Sequence, residues 1–368
     1  MDKEKKQFHY DSPEEQKLIE GLPHTAFVRE GTMLAFPLCF PGATVPIVPD
    51  ESHITALDAT VEGVIYGGTS GRRVHLFVGM FHGVTGMVFD LGTIDHADRC
   101  AAVCCGKKEF LACVNGPGGG RVVMRRFERP PYDLIQEWGF ERVAFDDLGE
   151  VAPGEPIIHA VADLRRERII GITPRHVFAV DFESRRVQVL DEIPCGGRLA
   201  ITADGGIVGR EGGRRLWSCD PSRGTVRHGA FVLPGGDWDK ATMRWARNSR
   251  NGLLYLADEE GQIYAMNGEF GFGEPLGRAP AAPVGPMSVT SDGRLFGFAG
   301  DGIAKLFCLD PARKTVSDLG AAVSAFERRR YGYSFGDAVI GRDGELVFGE
   351  DDDFGHLWMY FPRVAKAT

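Results

Sequence analysis

The stretch that decides the fold is DGGIVG at residues 204–209, followed in the same unit by LWSCDP at residues 216–221. It combines a tight turn, a short apolar strand, a glycine- and charge-rich turn and a second strand that ends near Asp-Pro. The Asp-Gly pair supplies the positive φ angles that tight hairpins require. The unit therefore predicts a β-hairpin, and its repetition along the chain predicts the architecture.

Three further units repeat this pattern closely, and three earlier units repeat it more weakly. The close copies are NGLLY with QIYAM (251–266), DGRLFG with KLFCLDP (292–311) and DGELVFG with HLWMYFP (343–362). The weaker copies start at EGVIYG (62–67), KEFLA (108–112) and RIIG (168–171). The hairpin turns of the seven units recur at a mean step of about 47 residues, which is typical of four-stranded propeller blades.

Seven such units predict an all-β protein, a seven-bladed β-propeller of four-stranded antiparallel blades. A two-sheet sandwich needs far fewer hairpins, and a βαβ fold needs amphipathic helices, whereas only residues 13–18 have a helical pattern. Residues 26–36 are expected to supply the outer strand of the last blade and so close the ring. We expect a single propeller domain at residues 26–363, an N-terminal extension at 1–25 and a C-terminal tail at 364–368.

Composition excludes several classes of function. The 368 residues are 43% hydrophobic and 25% charged, which is enough for a large buried core. The formal charge of −9 disfavours nucleic-acid binding, which depends on a positive surplus. No run approaches the roughly 18 apolar residues of a membrane-spanning helix, and residues 1–18 are too polar for a signal peptide. We therefore expect a cytoplasmic protein with no nucleic-acid or membrane partner.

The eight cysteines are expected to be reduced, because the sequence shows no export signal. Cys100, Cys104 and Cys105 lie in an apolar run that we predict to be a strand. On a strand, Cys104 and Cys105 point to opposite faces. Because a zinc ion needs all its sulfur ligands at about 2.3 Å, we interpret these residues as part of the core.

The innermost strand of each predicted blade starts six to nine positions before its hairpin turn, where a propeller places side chains around one end of its channel. The residues at these positions are His53, His96 with Arg99, His159, Arg198, Arg244, Pro286, and Tyr333 with Asp337. For any one of them, a polar strand end that meets solvent is the simpler interpretation. Together, their bias to arginine and histidine in a negatively charged chain predicts an anion-binding mouth.

A second cluster supports this prediction. The run RRRYGY at residues 328–333 falls in the connection into the seventh blade, and it contributes Arg330 and Tyr331. The simpler interpretation of this run is a solvated basic loop. Trp245 follows Arg244 directly in the connection into the fifth blade. Aromatic rings stack on sugar faces, and tyrosine hydroxyls form hydrogen bonds, so these residues suit the rim of a sugar-binding site.

Three other features are interpreted as structural. The glycine-rich run at 115–120 precedes a strand and lacks a Gly-Lys-Ser/Thr sequence, so it is a hairpin turn and not a phosphate-binding loop. The acidic run at 350–353 lacks the ligand spacing of a calcium loop. Histidines recur where the third strand of a blade starts, and we expect them to bond the neighbouring turn. They are His75, His176 and His356.

At residues 63–69 with 75–77, and again at Gly349 with 356–362, the chain resembles bacterial seven-bladed propellers. Among these it is distantly similar to the propeller polysaccharide lyases that act on uronic-acid glycans, such as ulvan and oligogalacturonate lyases. The resemblance covers the blade repeat, residues 26–363, and its motifs are architectural. It implies a site of histidine, tyrosine and arginine around the channel mouth, by residue type only.

The first functional hypothesis is a lyase that acts on an anionic, uronate-containing saccharide by β-elimination. This reaction needs a cation to stabilise the enolate-like charge, a base and an acid. The candidates for the base are His53, His96 and His159, and those for the acid are Tyr331 and Tyr333. The candidate substrate-binding residues are Arg99, Arg198, Arg244, Trp245 and Arg330.

The sequence requires no cofactor, and a divalent metal on the channel histidines is a variant of the lyase hypothesis. The second hypothesis is a non-catalytic propeller that binds a ligand or a protein partner on one face, because a fold does not fix a function. A deep pocket with converging polar side chains favours the first hypothesis. A flat, aromatic-rich face favours the second.

Overall fold

The computed structural model describes residues 30–38, 47–82, 85–127, 143–220, 222–223, 225–324 and 331–363, together with Pro13 and Lys17. The first strand, β1 (Gly31–Pro37), is followed by a single 3₁₀ turn at Pro49–Glu51. The strands that follow form seven antiparallel sheets, and these are the blades of a β-propeller. The predicted fold class, an all-β seven-bladed propeller, is confirmed.

Blades 1 to 4 follow one another along the chain, and each runs from an inner strand at the channel to an outer strand. Blade 1 contains β2 (His53–Ala59), β3 (Ile65–Ser70), β4 (Val74–His82) and β5 (Thr85–Ile94). Blade 2 contains β6 (Arg99–Cys105), β7 (Glu109–Gly116), β8 (Gly119–Arg126) and β9 (Asp146–Glu150). Blade 3 contains β10 (His159–Asp163), β11 (Arg168–Ile172), β12 (His176–Asp181) and β13 (Val187–Glu192). Blade 4 contains β14 (Gly196–Ile201), β15 (Ile207–Gly212), β16 (Arg215–Asp220) and β17 (Thr225–Val232).

Blade 5 differs from the others because its outer strand is split in two. It contains β18 (Ala246–Arg247), β19 (Leu254–Ala257) and β20 (Gln262–Asn267), and both β21 (Gly271–Phe272) and β22 (Gly277–Arg278) pair with β20. Blade 6 contains β23 (Val284–Val289), β24 (Leu295–Ala299), β25 (Lys305–Asp310) and β26 (Thr315–Ala321). Blade 7 contains β27 (Phe335–Ile340), β28 (Leu346–Glu350) and β29 (His356–Pro362).

The ring is closed by strand β1, which is the outer strand of blade 7. It pairs antiparallel with β29, so that Met33 lies opposite Tyr360 and Ala35 opposite Trp358. The backbone N–H of Ala35 also donates to Ser324 Oγ at 3.2 Å. The two ends of the chain thus share one blade, as the sequence predicts, and the strand occupies Gly31–Pro37.

The Asp-Gly turns that identify the repeat are tight turns between the first and second strands of a blade. In blade 6, Gly293 has a φ of +91°, and its N–H donates to the carbonyl of Thr290 at 2.9 Å. The hydroxyl of Thr290 donates to Asp292 at 2.5 Å. Glycine adopts this φ without the steric cost that a Cβ atom brings.

A glycine on the second strand lies opposite a large side chain on the third strand in most blades. The ring covers the position where a Cβ atom would stand; at Gly209, for example, an added Cβ atom would overlap Trp217. Replacing these glycines therefore requires the ring to move. The pairs are Gly67 with Phe77, Gly171 with Phe178, Gly209 with Trp217, and Gly297 with Phe307.

The hydrophobic core lies between neighbouring blades. Between blades 6 and 7, the rings of Phe298 and Phe335 stack with centroids 3.9 Å apart, and Trp358 is fully buried beside them. On β6, Cys105 packs toward blade 1 and Cys104 toward blade 3. These two cysteines therefore face opposite sides of a buried strand, as predicted.

Candidate functional site

The centre of the candidate site is an arginine that crosses the channel. Arg198, on the inner strand of blade 4, donates from Nη1 to Asp337 Oδ1 in blade 7 at 2.6 Å. Its Nη2 donates to the carbonyls of Gly336 at 2.9 Å and Thr55 at 3.2 Å. Both side chains of this ion pair are less than one fifth exposed. The pair therefore links blade 4 to blades 7 and 1 through the interior of the ring.

A second arginine reaches the same point from blade 5. Arg244 Nη1 also donates to the carbonyl of Gly336. Its Nε is buried, and neither Nε nor Nη2 has a hydrogen-bond partner among the residues that the structure describes. Burial and then the like charge of Arg198 lower the pKa of Arg244 to about 10, against the opposing effects of Asp337 and Asp351. This guanidinium is therefore confined, charged at neutral pH and only partly satisfied.

The peptide group between Arg198 and Leu199 holds two further side chains. Its carbonyl accepts from Trp245 Nε1 at 3.0 Å, and its N–H donates to His159 Nδ1 at 3.2 Å. Burial, together with the charges of Arg198 and Arg244, holds the pKa of His159 well below its usual range. The ring of Trp245 stacks on Phe272 with centroids 6.4 Å apart. Inner strands of blades 3, 4 and 5 are thus joined at the mouth.

His53, at the start of the inner strand of blade 1, faces carboxylates on both sides of its ring. Its Nε2 lies 2.9 Å from Asp353 and its Nδ1 lies 3.3 Å from Asp351. Both aspartates belong to the acidic turn of blade 7. The side chain of His53 is only 10% exposed. The acidic run therefore holds a histidine of the next blade, which is a structural role.

One charged group of the channel escaped the sequence analysis. Asp58 lies near the end of the inner strand of blade 1, and its carboxylate accepts the N–H groups of Ala59 at 2.9 Å and Cys105 at 2.7 Å. Burial and the nearby charge of Asp337 raise the pKa of Asp58 to about 6, although these hydrogen bonds act in the opposite direction. The sequence search covered only strand starts, so it could not find a residue at the other end.

The remaining predicted site residues are His96, Arg99, Tyr331, Tyr333 and Arg330. His96 and Arg99 are exposed, and His96 lines a cleft with Asn115 and Arg121 of blade 2 instead of the channel. Tyr331 and Tyr333 are buried, with 8% and 3% of their surface exposed. Arg330 lies outside the described residues.

The three recurrent histidines are each bound to a buried glutamate. In blade 1, Glu51 Oε2 lies 2.8 Å from His75 Nε2, and Glu51 also accepts from Arg72 and Arg73. These partners outweigh burial and lower the pKa of Glu51 to about 2. The equivalent pairs are His176 with Glu155 and His356 with Glu350. These histidines therefore bond within their blades, as the sequence analysis expects.

The described residues contain neither a metal-binding cluster nor a membrane-spanning helix. No group of three or more histidine, cysteine, aspartate or glutamate side chains there is arranged to hold a metal ion. No helix in the described part of the chain has the length and apolar character needed to cross a membrane. Seven of the eight cysteines lie in this part of the chain, and all seven are free thiols.

Comparison with known proteins identifies the fold without identifying a family. No model of a protein family matches the sequence, and no curated protein matches it. The structure is similar to that of a catalytically inactive variant of virginiamycin B lyase from Staphylococcus aureus, determined with quinupristin. The identity is 8%, the match covers 90% of this chain and 99% of the other, and the TM-score is 0.62.

The structure is also similar to the extracellular domain of BT4673 from B. thetaiotaomicron, which is described in one structure as a one-component system and in another as a hybrid two-component system. The identity is 10% in both cases, and the TM-scores are 0.56 and 0.57. The matches cover 88% and 89% of this chain but only 39% of those chains. At such identities, the similarity shows the propeller fold alone.

Proposed function

We propose that the channel mouth binds the carboxylate of an anionic saccharide. One observation carries this proposal: the guanidinium of Arg244 is enclosed, yet its Nε and Nη2 donors have no partner among the described residues. Nε and Nη2 form one edge of the guanidinium, and such an edge can hold both oxygens of a carboxylate. A bound carboxylate would satisfy Nε, which is costly to leave buried and unpaired, together with Nη2.

The charges around Arg244 support an anionic ligand. Asp337 pairs directly with Arg198, whereas Arg244 is bonded to a neutral carbonyl. Of the two guanidinium groups, only that of Arg198 is therefore bonded to a carboxylate, and the pKa of Arg244 falls partly because of Arg198. In an environment less polar than water, such like-charge repulsion is strong, and an added anion relieves it.

A saccharide is favoured by Trp245, the aromatic residue that follows Arg244 directly in the chain. Trp245 is held in place by its hydrogen bond to the carbonyl of Arg198 and by stacking on Phe272. It remains partly exposed. An oriented aromatic ring next to a carboxylate-binding arginine suits a pyranose that carries a carboxylate, because sugar faces pack on aromatic rings.

β-Elimination is the reaction that such binding would promote. A base removes the proton from the carbon next to the carboxylate, a carbon–carbon double bond forms, and the bond to the leaving oxygen breaks. Arg244 would stabilise the negative charge that develops on the carboxylate. Asp58, with its pKa raised to about 6, lies near the end of its strand away from the mouth, so it would accept the proton through intervening water. Another water would protonate the leaving oxygen. His159 is then a hydrogen-bond donor and not the base that the sequence analysis considers.

Binding without catalysis is the second candidate function, and specific observations favour it. His53 has a carboxylate near each ring nitrogen. Tyr331 and Tyr333, the proposed acids, are buried. Under this hypothesis, the same arginine and tryptophan hold a ligand that leaves unchanged.

One experiment tests both functions. The protein is incubated with oligogalacturonides, and the absorbance of the unsaturated product is followed alongside calorimetric binding. Binding with new absorbance supports the lyase, and binding with none supports the non-catalytic function. If oligogalacturonides do not bind and neutral galactose oligosaccharides do, the carboxylate proposal is wrong. Asp58→Asn should abolish the absorbance change while leaving binding in place if Asp58 accepts the proton.

A further inference from the structure

The hydrogen bond between Leu199 and His159 determines where the imidazole carries its proton. The N–H of Leu199 donates to His159 Nδ1, so Nδ1 must present a lone pair. A neutral imidazole with a free lone pair on Nδ1 carries its proton on Nε2. The ring is thus fixed in one of its two tautomers by the backbone of the neighbouring blade.

The surroundings of His159 also keep the ring neutral. Arg198 and Arg244 repel a second positive charge, and burial disfavours it, so the pKa of His159 lies well below its usual range. No acidic side chain of the described residues forms an ion pair or a hydrogen bond with it. Its Nε2, on the other side of the ring from Leu199, has no partner in the described part of the chain. His159 therefore offers one uncharged N–H donor.

We propose that His159 is a specificity-determining residue, whose fixed Nε2–H donor selects carboxylates that carry a neutral acceptor oxygen on the adjacent carbon. The inference rests on the proposed function, since it assigns the carboxylate itself to Arg244. A uronate meets the requirement, because the ring oxygen is attached to the carbon that bears the carboxylate. A carboxylate on a plain hydrocarbon ring does not meet it.

Arg244 and His159 recognise different features of the ligand. Arg244 contributes charge, which any carboxylate satisfies. His159 contributes a directional hydrogen bond without charge, and its donor is left unpaired when the ligand has no acceptor at that position. A site that desolvates a donor and leaves it unpaired rejects such a ligand, which is how polar groups create specificity.

The test uses two acids of nearly the same shape and the same charge. Tetrahydropyran-2-carboxylate has a ring oxygen next to the carboxylate-bearing carbon, and cyclohexanecarboxylate has a methylene group there. We expect the wild-type protein to bind the first about five- to tenfold more tightly, as one hydrogen bond between neutral groups implies. In His159→Leu the ratio should fall to about one. In His159→Gln, which keeps an N–H donor, part of the preference should remain.

The outcomes separate this inference from the proposed function. Arg244→Gln should weaken both acids equally, because they share the carboxylate. Equal binding of the two acids by the wild-type protein contradicts the inference alone, and failure of both acids to bind contradicts the proposed function as well. The tautomer has its own measurement, which requires no variant: ¹⁵N resonances of the ring. A protonated Nε2 and an unprotonated Nδ1 are expected at pH 7, where an imidazole with a lowered pKa carries no charge, and a proton on Nδ1 overturns the inference.

Discussion

Arg198 and Asp337 lie 139 positions apart in the chain, and their side chains meet at 2.6 Å inside the channel. Each side chain also forms other hydrogen bonds. Arg198 donates to the carbonyls of Thr55 and Gly336, and Asp337 accepts the N–H of Leu57 at 3.0 Å. The pair therefore acts as a cross-brace through the ring. It also occupies the place where the sequence analysis expects a ligand to bind Arg198.

Asp337→Asn should lower the free energy of unfolding by about 3 kcal/mol, because it leaves the Arg198 guanidinium mostly buried without its counter-charge. Urea unfolding measures the loss. The control is Asp239→Asn, whose carboxylate is 86% exposed beside Arg210 and should matter by less than about 0.5 kcal/mol. Equal stability of Asp337→Asn and the wild-type protein would show that the brace contributes nothing.

Glu51 makes stability sensitive to acid. Its pKa is about 2 in the folded protein and near 4.5 in the unfolded chain, so its contribution is present above pH 4.5 and is lost as pH falls toward 2. Glu51→Gln should cost about 2 kcal/mol at pH 5 and much less at pH 3. The pKa of His75 is raised, so the titration of His75 changes the stability only at higher pH. Urea unfolding is therefore compared at pH 5 and below. A difference between wild type and variant that does not change with pH contradicts this account.

Strand β1 closes the ring through its buried side chains. Met33→Ala should cost about 3 kcal/mol, since Met33 is 2% exposed within the core between blades 6 and 7. The neighbouring Thr32 points outward, so Thr32→Ala is the matched control and should have little effect. Thermal unfolding of the two variants compares them directly. Similar melting temperatures would argue that closure does not depend on packing by this strand.

The titration of Asp58 should make ligand binding depend on pH. Its pKa is about 6, and the groups that face it are Asp337, the N–H of Ala59 and the N–H and thiol of Cys105. As pH falls through 6, Asp58 loses its negative charge, the channel becomes more positive, and an anion should bind several-fold more tightly. The dissociation constant of galacturonate between pH 5 and 8 measures this. Asp58→Asn should remove the dependence, and an unchanged profile in that variant excludes Asp58.

The fold could be predicted because each blade repeats a local pattern. The turn at Gly293, the closing strand β1 and the opposed faces of Cys104 and Cys105 follow from spacing alone. The sequence also indicates polar side chains at or near the starts of inner strands, and three of these strands, β2, β6 and β10, start with His53, Arg99 and His159.

The pairing of those side chains could not be predicted. Arg198 meets Asp337 only because blades 4 and 7 face each other across the ring, and no local pattern encodes that distance. The spacing also does not reveal that the N–H of Leu199 donates a hydrogen bond to Nδ1 of His159. His96 lines a cleft of blade 2 and has a backbone φ of +58°, a conformation that the repeat does not predict.

The central claim is that Arg244 holds the carboxylate of the ligand, and isothermal titration calorimetry with D-galacturonate tests it most directly. Three proteins are compared: wild type, Arg244→Gln and Arg250→Gln, the last being an exposed arginine of the same blade. We predict that Arg244→Gln weakens binding at least tenfold, about what the loss of a charged hydrogen bond implies, while Arg250→Gln binds as wild type does. Binding by Arg244→Gln that equals wild type contradicts the account.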